Sequence, residues 1–395
     1  MKLAGIICEY NPFHKGHLRQ LRLTREALGE DCAIISLMSG NYVQRGEPAI
    51  FPKALRARAA VQCGADLVLE LPLTTALSSA EGFAAGGVRI LSALGCDALS
   101  LGSETGSPEP LLAAARANLD PAFDRLLKKH LTGGRSYAAA RALALEELGV
   151  DFALDAPNDI LGVEYCKALL EQTSPMEPLV IPRTGSYHAR SLDPAAPSAG
   201  ALRLELLQSA QEAWQAAVPD CLGDLYKNAP VHSLAAGERA ILARVRTLPE
   251  EAFRALPYGA EGLWSKLMKN CRGCGSVEEI LEATKSKRYA RSRIQRMLLC
   301  AFLGLTARDL TTPAPYARIL AFNSTGRGLL RALKQRFPLV NAGERPEDPD
   351  YYVLECRAGD LYSLFSPAGP RPAGEEARQR VCFLPETEQG APKEI

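Results

Sequence analysis

Two histidines three positions apart, His14 and His17, stand just beyond the apolar run Leu3–Cys8, with Gly16 between them. If the run is a strand and a helix follows it, side chains at this spacing share one face of the helix's first turn. A first turn carries backbone N–H groups without partners and a partial positive charge, both of which attract phosphate. Imidazoles held there donate to the oxygens of a phosphate under in-line attack, where charge grows in the transition state. Gly16 lets backbone come close to a ligand, while Pro12 and Phe13 stiffen the turn and wall off a base or ribose. The bland alternative is a pair of helix-start histidines without a role. Their position after the first strand of an alternating pattern favours the phosphate reading.

A second constellation is Lys285-Ser286-Lys287-Arg288-Tyr289-Ala290-Arg291-Ser292-Arg293-Ile294-Gln295-Arg296, with six basic residues and no acid. On a helix, Ala290, Ile294, Met297 and Ala301 form an apolar stripe, and Arg288, Arg291, Ser292 and Gln295 lie opposite. So many cations would track a phosphate backbone, and Tyr289 offers a stacking face; the alternative is a solvated basic helix. The formal charge of +1 points neither to nucleic acid nor to membrane, because a local stripe can be cancelled elsewhere. The eleven cysteines are scattered singly apart from Cys271 and Cys274. An odd number without framework spacing fits reduced thiols in a cytosol. The lone CxxC reads as two unrelated thiols in a loop, so no metal ligands are assigned.

The elements that must position these residues are legible as an alternation. Leu3–Cys8, Cys32–Met38, Asp66–Leu71 and Asp97–Leu101 read as strands, separated by helices to about Leu28, over Lys53–Cys63 and over Ser78–Leu94. Continuous apolar strands between helices mean a parallel sheet covered on both faces, and ligands then bind beyond the strands' carboxyl ends. Residues 105–175 read as helices, Pro178–Pro182 as a fifth strand and Leu202–Ala217 as a helix. From 220 to 311 nearly everything reads as helical. After Thr311-Thr312-Pro313-Ala314-Pro315 come a strand (Ile319–Phe322), a helix beginning after Gly326, and a strand pair around Tyr351–Cys356 and Leu361–Phe365. From Pro367 onward Pro, Gly and charge suggest a loose tail. With 395 residues, 47% hydrophobic and 23% charged, the chain is globular and long enough for two or three domains. No apolar run reaches membrane-spanning length, and the N-terminus turns polar too early for a secretory signal.

Cys8-Glu9-Tyr10-Asn11-Pro12-Phe13-His14-Lys15-Gly16-His17 is the first of several motifs in order along the chain. Met38-Ser39-Gly40-Asn41 follows, with Gln44-Arg45-Gly46-Glu47-Pro48-Ala49, and then Leu69-Glu70-Leu71-Pro72 and Leu101-Gly102-Ser103-Glu104. Pro157-Asn158-Asp159-Ile160-Leu161-Gly162 and the Lys287-Arg288-Tyr289 region complete the set. As a set they resemble the bacterial tRNA(Met) cytidine acetate ligase family, within the nucleotidyltransferases that carry the HIGH signature. The resemblance implies a Rossmann-like ATP-binding domain and two steps. Acetate attacks the α-phosphate of ATP to give acetyl-adenylate and pyrophosphate, and N4 of the wobble cytidine in elongator tRNA(Met) then takes the acetyl group. It further implies nucleotide contacts from Ile7, Cys8, Glu9, Tyr10, Asn11, Pro12, Phe13, His14, Lys15, Gly16, His17, Leu18, Arg19, Gln20, Gly102, Asn158, Arg183 and Thr184.

Residue chemistry agrees with several of these. Gly102 would end a strand with bare backbone beside an adenosine. Asn158 offers a donor and an acceptor to an adenine edge or ribose, or caps a helix over Asp159–Leu169. Arg183 pairs with phosphate or is a solvated strand-end charge. Lys53 and Arg56, beside the loop Ser39–Gly46, neutralise a triphosphate or form an exposed basic face. Superfamily members carry a second phosphate motif rich in Ser and Thr, and here the stretch reads Ser198-Ala199-Gly200-Ala201-Leu202-Arg203. Its middle hydroxyls are absent, although helix-start amides could still hold pyrophosphate.

The expectation is therefore an α/β protein. A Rossmann-like parallel-sheet nucleotidyltransferase domain (1–217) is followed by a helical appendage (218–311) and a small C-terminal α/β unit (312–395). His14 and His17 stabilise the α-phosphate transition state, and Lys285, Lys287, Arg288, Arg291, Arg293 and Arg296 contact tRNA. ATP is the substrate and Mg²⁺ its counter-ion, with no all-protein cage required. Two rival readings stand beside this one: an adenylyltransferase acting on a small phosphorylated acceptor, and a non-catalytic ATP-dependent RNA-binding module.

Overall fold

The computed structural model describes residues 1–132, 135, 137–150, 156–183, 192–208 and 212–385. Its strands are β1 (Leu3–Cys8), β2 (Ala33–Ser39), β3 (Tyr42–Val43), β4 (Glu47–Pro48), β5 (Leu67–Leu71), β6 (Ala98–Ser103), β7 (Glu177–Pro182), β8 (Ala317–Phe322), β9 (Leu339–Asn341) and β10 (Cys382–Phe383). The main sheet runs β10-β8-β5-β2-β1-β6-β7, with β9 alongside β8, and β3 pairs only with β4. From β5 through β7 the strands are parallel, whereas β8 joins antiparallel to β5. The fold is thus α/β with a mostly parallel sheet, as the alternation of apolar strands and helices required.

Every residue of β2 is buried, and its side chains divide between two cores. Ile35 and Leu37 join Leu69, Leu91 and Leu99 on one face, while Ile34 and Met38 join Ile6, Val68 and Val61 on the other. Two covered faces are why these strands are apolar without alternation. A third core, around Ile241, Leu267, Ile294 and Phe302, holds the helices of residues 234–303 together. Among the described residues no helix is long and apolar enough to cross a membrane.

After β1 the chain lays down β2 and β5 on one side and then returns to place β6 on the other side of β1. This reversal opens a crevice at the carboxyl ends of β1 and β6, where α/β sheets bind ligands. The helix Lys15–Leu28 follows β1, and the helices between 108 and 171 follow β6.

Several local expectations are corrected. The stretch expected as a strand pair is the helix Pro349–Tyr362 followed by a 3₁₀ turn, Ser363–Phe365. Asp348 caps that helix by accepting from Tyr351 N, Pro349 opens it, and the buried Tyr351, Glu355, Ala358 and Tyr362 follow helical period. The helix expected after Gly326 starts at Ser324, and Leu202–Ala217 divides into the helix Ala199–Gln208 and a 3₁₀ turn, Glu212–Ala217. The stretch from Pro367 to 385 is largely exposed, but it is anchored at two points. Glu375–Arg378 is helical with Glu376 buried, and β10 pairs with β8 at Cys382↔Ala321 and Phe383↔Phe322.

Lys53 and Arg56 are neither phosphate ligands nor an exposed face, since both are buried. Lys53 Nζ lies 2.7 Å from Glu70 Oε2 and 2.7 Å from Glu376 Oε2. Arg56 donates to the carbonyls of Phe51, Glu9, Ser39 and Gly40 and so stitches the ends of β1 and β2 to the helix Lys53–Gln62.

Candidate active site

β1 ends in a sharp turn, with Tyr10 at φ 44 and a cis peptide between Asn11 and Pro12. His14 is the N-cap of the helix Lys15–Leu28. Its Nδ1 accepts from Gly16 N at 3.0 Å, and His17 Nδ1 accepts from His14 N at 3.2 Å. This reciprocal cap does the work usually given to Ser and Glu. It also sets both tautomers. A ring nitrogen that accepts from a backbone N–H carries no proton, so in each neutral imidazole the proton sits on Nε2. The rings stack with centroids 3.8 Å apart, and Tyr10 and Phe13 close in on His17 at 4.9 and 5.5 Å.

Burial depresses the buried His14 to a pKa of about 3, helped by the nearby Arg183 and Arg203 guanidinium groups. His17, which keeps part of its surface accessible, is pushed the same way by desolvation, then by His14 and Arg183. Both rings are therefore neutral Nε2–H donors at neutral pH, beside two arginines. An anion that supplies its own negative charge suits this arrangement.

Arg203, in the helix Ala199–Gln208, donates to the Asn11 carbonyl at 2.9 Å. Ser198 Oγ accepts from Ala201 N at 3.1 Å and caps that helix. A Cβ on Gly16 would lie 3.8 Å from the Pro197 carbonyl, so two helix starts converge on one spot. A Cβ on Gly200 would meet nothing within 4 Å, which leaves room for the hydroxyl-bearing residue that this stretch lacks.

The far wall comes from β6 and β7. Arg183 stacks its aliphatic stem over Gly102, where a Cβ would stand 3.2 Å from Arg183 Cγ. Glu104 Oε1 accepts from Asn158 Nδ2 at 2.6 Å and lies 3.9 Å from Arg183 Nε. Asn158 is not the helix cap, a place held by Ala156, but sits in the first turn of Pro157–Glu171. Asp159 accepts from Ser103 Oγ and from Glu104 N at 2.9 Å and fixes the loop after β6. Thr184 lies outside the described residues. Glu104 was not singled out from the sequence, although it ends the motif Leu101–Glu104, and it holds the Asn158 and Arg183 side chains in place. Two buried polar atoms bordering this crevice, Asn11 Nδ2 and Glu104 Oε2, have no partner.

The remaining positions of the turn serve mainly as its scaffold. Ile7 is in the sheet's core. Cys8 Sγ points to the Leu37 carbonyl, and Tyr10 and Ser36 share a hydrogen bond of 3.1 Å. Glu9 accepts from Gln44 N at 2.8 Å, and burial raises its pKa. Phe13 is held from below by Tyr226, whose hydroxyl donates to its carbonyl at 3.3 Å. Arg19 Nη1 reaches the Pro182 carbonyl at 2.5 Å and Gln20 the Ser100 carbonyl at 3.3 Å, so the helix is tied to the β6–β7 edge. Pro12 is buried, and Lys15 and Leu18 are half-buried. Among the described residues no cluster of three or more His, Cys, Asp or Glu is arranged to hold a metal ion.

A family model described as HIGH Nucleotidyl Transferase matches residues 1–376. The tRNA(Met) cytidine acetate ligase of Acetivibrio thermocellus is 33% identical, covering 97% of this chain and 100% of its own length. That of Anoxybacillus flavithermus is 36% identical, over 98% and 99%. The chain belongs to this family. Among solved structures, Thermotoga maritima TmcAL in its apo form I aligns with a TM-score of 0.88 at 30% identity, covering 98% of this chain and 100% of that one. The same protein bound with alpha-thio ATP aligns with a TM-score of 0.86 at 30% identity and the same coverage.

The basic stretch, expected as one helix from Lys285, becomes helical only at Arg291, and the helix runs to Leu303. The structure supplies the acids that the local sequence lacks. Arg288 pairs with Glu261 at 2.6 Å, Arg291 with Glu278 at 2.5 Å and Glu282 at 2.8 Å, and Lys285 with Glu282 at 3.6 Å. Arg293 donates to the Tyr258 carbonyl at 2.6 Å and lies over the Tyr289 ring. Arg296 is buried, with Nη1 at 3.3 Å from the Gln44 carbonyl, and so faces the loop that supports Glu9 rather than solvent. Gln295, expected opposite the apolar stripe, is buried and donates to Glu47 at 2.8 Å. Lys287 is exposed. The CxxC is not in a loop as expected: Cys271 is buried within the helix Leu263–Gly273 and Cys274 closes that helix.

Proposed function

We propose that this chain joins acetate to ATP and passes the acetyl group to N4 of the wobble cytidine of elongator tRNA(Met), in the cytoplasm. The observation that carries the reading is the pair of neutral, stacked histidines whose Nδ1 atoms are both engaged by backbone amides. They leave two Nε2–H donors on one side of a crevice bordered by Arg183 and Arg203. Acetate oxygen attacks the α-phosphate, pyrophosphate departs, and charge on the α-phosphoryl oxygens rises as the bonds exchange. Donors already held in place stabilise that charge without reorganisation. Their neutrality matters, because an imidazolium would also grip the ground-state triphosphate, and uniform binding does not raise the rate of the chemical step.

Gly102 and Asn158 would take the adenosine, and Arg183 with the helix start at Ser198 would take the departing pyrophosphate. Mg²⁺ would ride on the triphosphate oxygens. In the second step the cytidine N4 attacks the acetyl carbonyl, AMP leaves with the bridging oxygen, and N4 gives up a proton. Exposed Lys287, with Arg288, Arg291 and Arg293, would meet the tRNA backbone. The relatives that this chain resembles over their full length are tRNA(Met) cytidine acetate ligases, which supports this substrate choice.

ATP–pyrophosphate exchange with and without acetate tests the activation step alone. Exchange is expected only with acetate, and added elongator tRNA(Met) should then release AMP in step with acetylated tRNA. Exchange that ignores acetate but responds to a phosphorylated small molecule would establish the adenylyltransferase alternative instead.

A further inference from the structure

Cys63 and Cys221 lie in contact, Sγ to Sγ 3.8 Å, although 158 positions apart in sequence. Cys63 closes the helix Lys53–Gln62, and Cys221 sits in the 3₁₀ turn Asp220–Leu222. The two segments are already docked. Gln62 Nε2 donates to the Cys221 carbonyl at 3.4 Å, and Leu222, Trp214 and Tyr226 share one core with Ala59, Ala60 and Val61. Closing the gap to a bond of about 2.05 Å asks for side-chain rotation and a small approach, with no rearrangement of elements. None of the eleven cysteines is in a disulfide here.

The pair is asymmetric in a chemically useful way. Cys221 is exposed and Cys63 is buried, so an outside reagent meets Cys221 first. The hydrogen bond from Cys63 lowers the Cys221 thiol to about 7, against the opposing effects of burial and of Asp220. The same hydrogen bond and burial push Cys63 up and keep it protonated as the donor. An accessible thiolate beside a protected thiol is the arrangement of an attacking and a resolving cysteine.

We propose that Cys63 and Cys221 form a reversible thiol–disulfide site, with Cys221 the entering nucleophile and a low-molecular-weight disulfide the co-reactant. The Cys221 thiolate attacks one sulfur of the reagent, forms a mixed disulfide and expels one thiolate. Cys63 then attacks Cys221 Sγ, the second reagent thiolate leaves, and the Cys63 proton passes to it. Two protein thiols are oxidised and one disulfide is reduced to two thiols. The bond would tie the helix Lys53–Gln62 to the segment carrying Tyr226, which stacks on Phe51 at 4.7 Å and supports the Phe13 carbonyl. Oxidation therefore staples the wall beneath the His14–His17 turn.

The test is incubation of the reduced full chain with hydroxyethyl disulfide, followed by peptide mapping without reductant. Wild type should end as a Cys63–Cys221 cross-link without adduct. Cys63→Ala should end as a stable hydroxyethyl adduct on Cys221, and Cys221→Ser should leave Cys63 unmodified. The midpoint of the pH–rate profile for adduct formation should move up in Cys63→Ala toward the ordinary thiol pKa of about 8.5, because the hydrogen bond that lowers Cys221 is gone. In wild type the rate should level off above neutral pH. A lasting adduct on Cys221 in wild type, or a native protein whose Cys221 stays free under conditions that modify Cys382, would overturn the proposal. So would a wild-type rate still climbing at the pH where the Cys63→Ala rate climbs. Cys63→Ser serves as a second variant should the alanine substitution fail to fold, and its expected product is the same adduct.

Discussion

At the residue scale, the two histidines have a double task. As caps they satisfy backbone amides of their own helix start through Nδ1, and that duty leaves their Nε2–H groups as donors facing away from those amides. Replacing His17 by Ala removes one such donor and also the partner of the His14 amide. We expect acetate-dependent ATP–pyrophosphate exchange to fall by about 10²–10³, the usual loss for one preorganised donor. Thermal unfolding should drop only by the loss of one cap, about 1 kcal/mol. A variant exchanging within a few-fold of wild type would show that His17 is structural. The depressed pKa values add a pH signature. A histidine whose folded value lies below its unfolded 6.5 stabilises the fold in full above 6.5. That contribution is lost as pH falls from there toward about 3, because protons bind the unfolded chain first. Exchange should therefore show no histidine ionisation between roughly pH 6 and 8, where an ordinary imidazole would titrate. This pair was legible in the sequence because HxGH after an apolar strand has few other uses. The reciprocal cap was not legible, since histidine is not an expected capping partner and the tautomers follow only from where the amides point.

At the scale of elements, the basic stretch shows how local sequence can mislead about charge. Six cations without an intervening acid read as a free phosphate-binding surface, yet Glu261, Glu278 and Glu282, on preceding segments, stand against Arg288, Arg291 and Lys285. Exposed pairs of this kind contribute little to stability, so these arginines can exchange a glutamate for a tRNA phosphate at modest cost. Arg288→Glu together with Arg291→Glu should leave exchange within a few-fold of wild type and sharply reduce acetyl transfer. The tRNA affinity should lose salt dependence by a log–log slope of about 0.7–0.9 for each phosphate contact removed. Lost exchange with retained tRNA binding would place this segment at the nucleotide instead. That outcome has a physical route through Gly46. This residue stands at φ 80, and a Cβ there would lie 2.6 Å from Arg296 N, so the loop supporting Glu9 rests directly on the helix Arg291–Leu303. The parallel strands were legible because burial on both faces leaves an unbroken apolar run. The helix Pro349–Tyr362 was not, because Tyr351, Val353 and Leu354 resemble a strand until Asp348 and Pro349 are recognised as its start.

At the scale of the whole molecule, the chain's last described segment is bolted into the middle of its first. Glu376 lies between Lys53 Nζ at 2.7 Å and Arg318 Nε at 3.1 Å, while Glu70 and Glu355 take the other sides of the two cations. Lys53 follows the β3–β4 loop, Glu70 lies in β5, Arg318 in β8 and Glu355 in the helix Pro349–Tyr362, so five separate segments meet in one buried cluster. The Pro- and Gly-rich composition after Pro367 concealed this, because one buried carboxylate in a polar stretch is invisible to periodicity. Two cations facing three carboxylates leave one negative charge in excess. Desolvation, with Glu376 and Glu355 nearby and Lys53 opposing, pushes Glu70 up to about 7. A carboxyl whose folded pKa is raised stabilises the fold in full below its ordinary value of 4.5 and loses that contribution as pH rises through about 7. Glu70→Gln keeps an acceptor for Lys53 and removes the excess charge, so the decline in unfolding free energy between those two pH values should flatten. Glu376→Ala acts in the opposite sense. It removes the contacts of Glu376 with Lys53 Nζ and Arg318 Nε while Glu70 and Glu355 still pair the two cations, and leaving buried donors short of an acceptor costs about 1–3 kcal/mol. Denaturant unfolding at neutral pH should show that loss, and Glu376→Gln, which keeps a side-chain oxygen to accept from Lys53 Nζ, should recover part of it. A Glu376→Ala protein as stable as wild type, or a Glu376→Gln variant no better than the alanine one, would mean that the tail merely rests on the sheet and that the cluster does not hold these segments together.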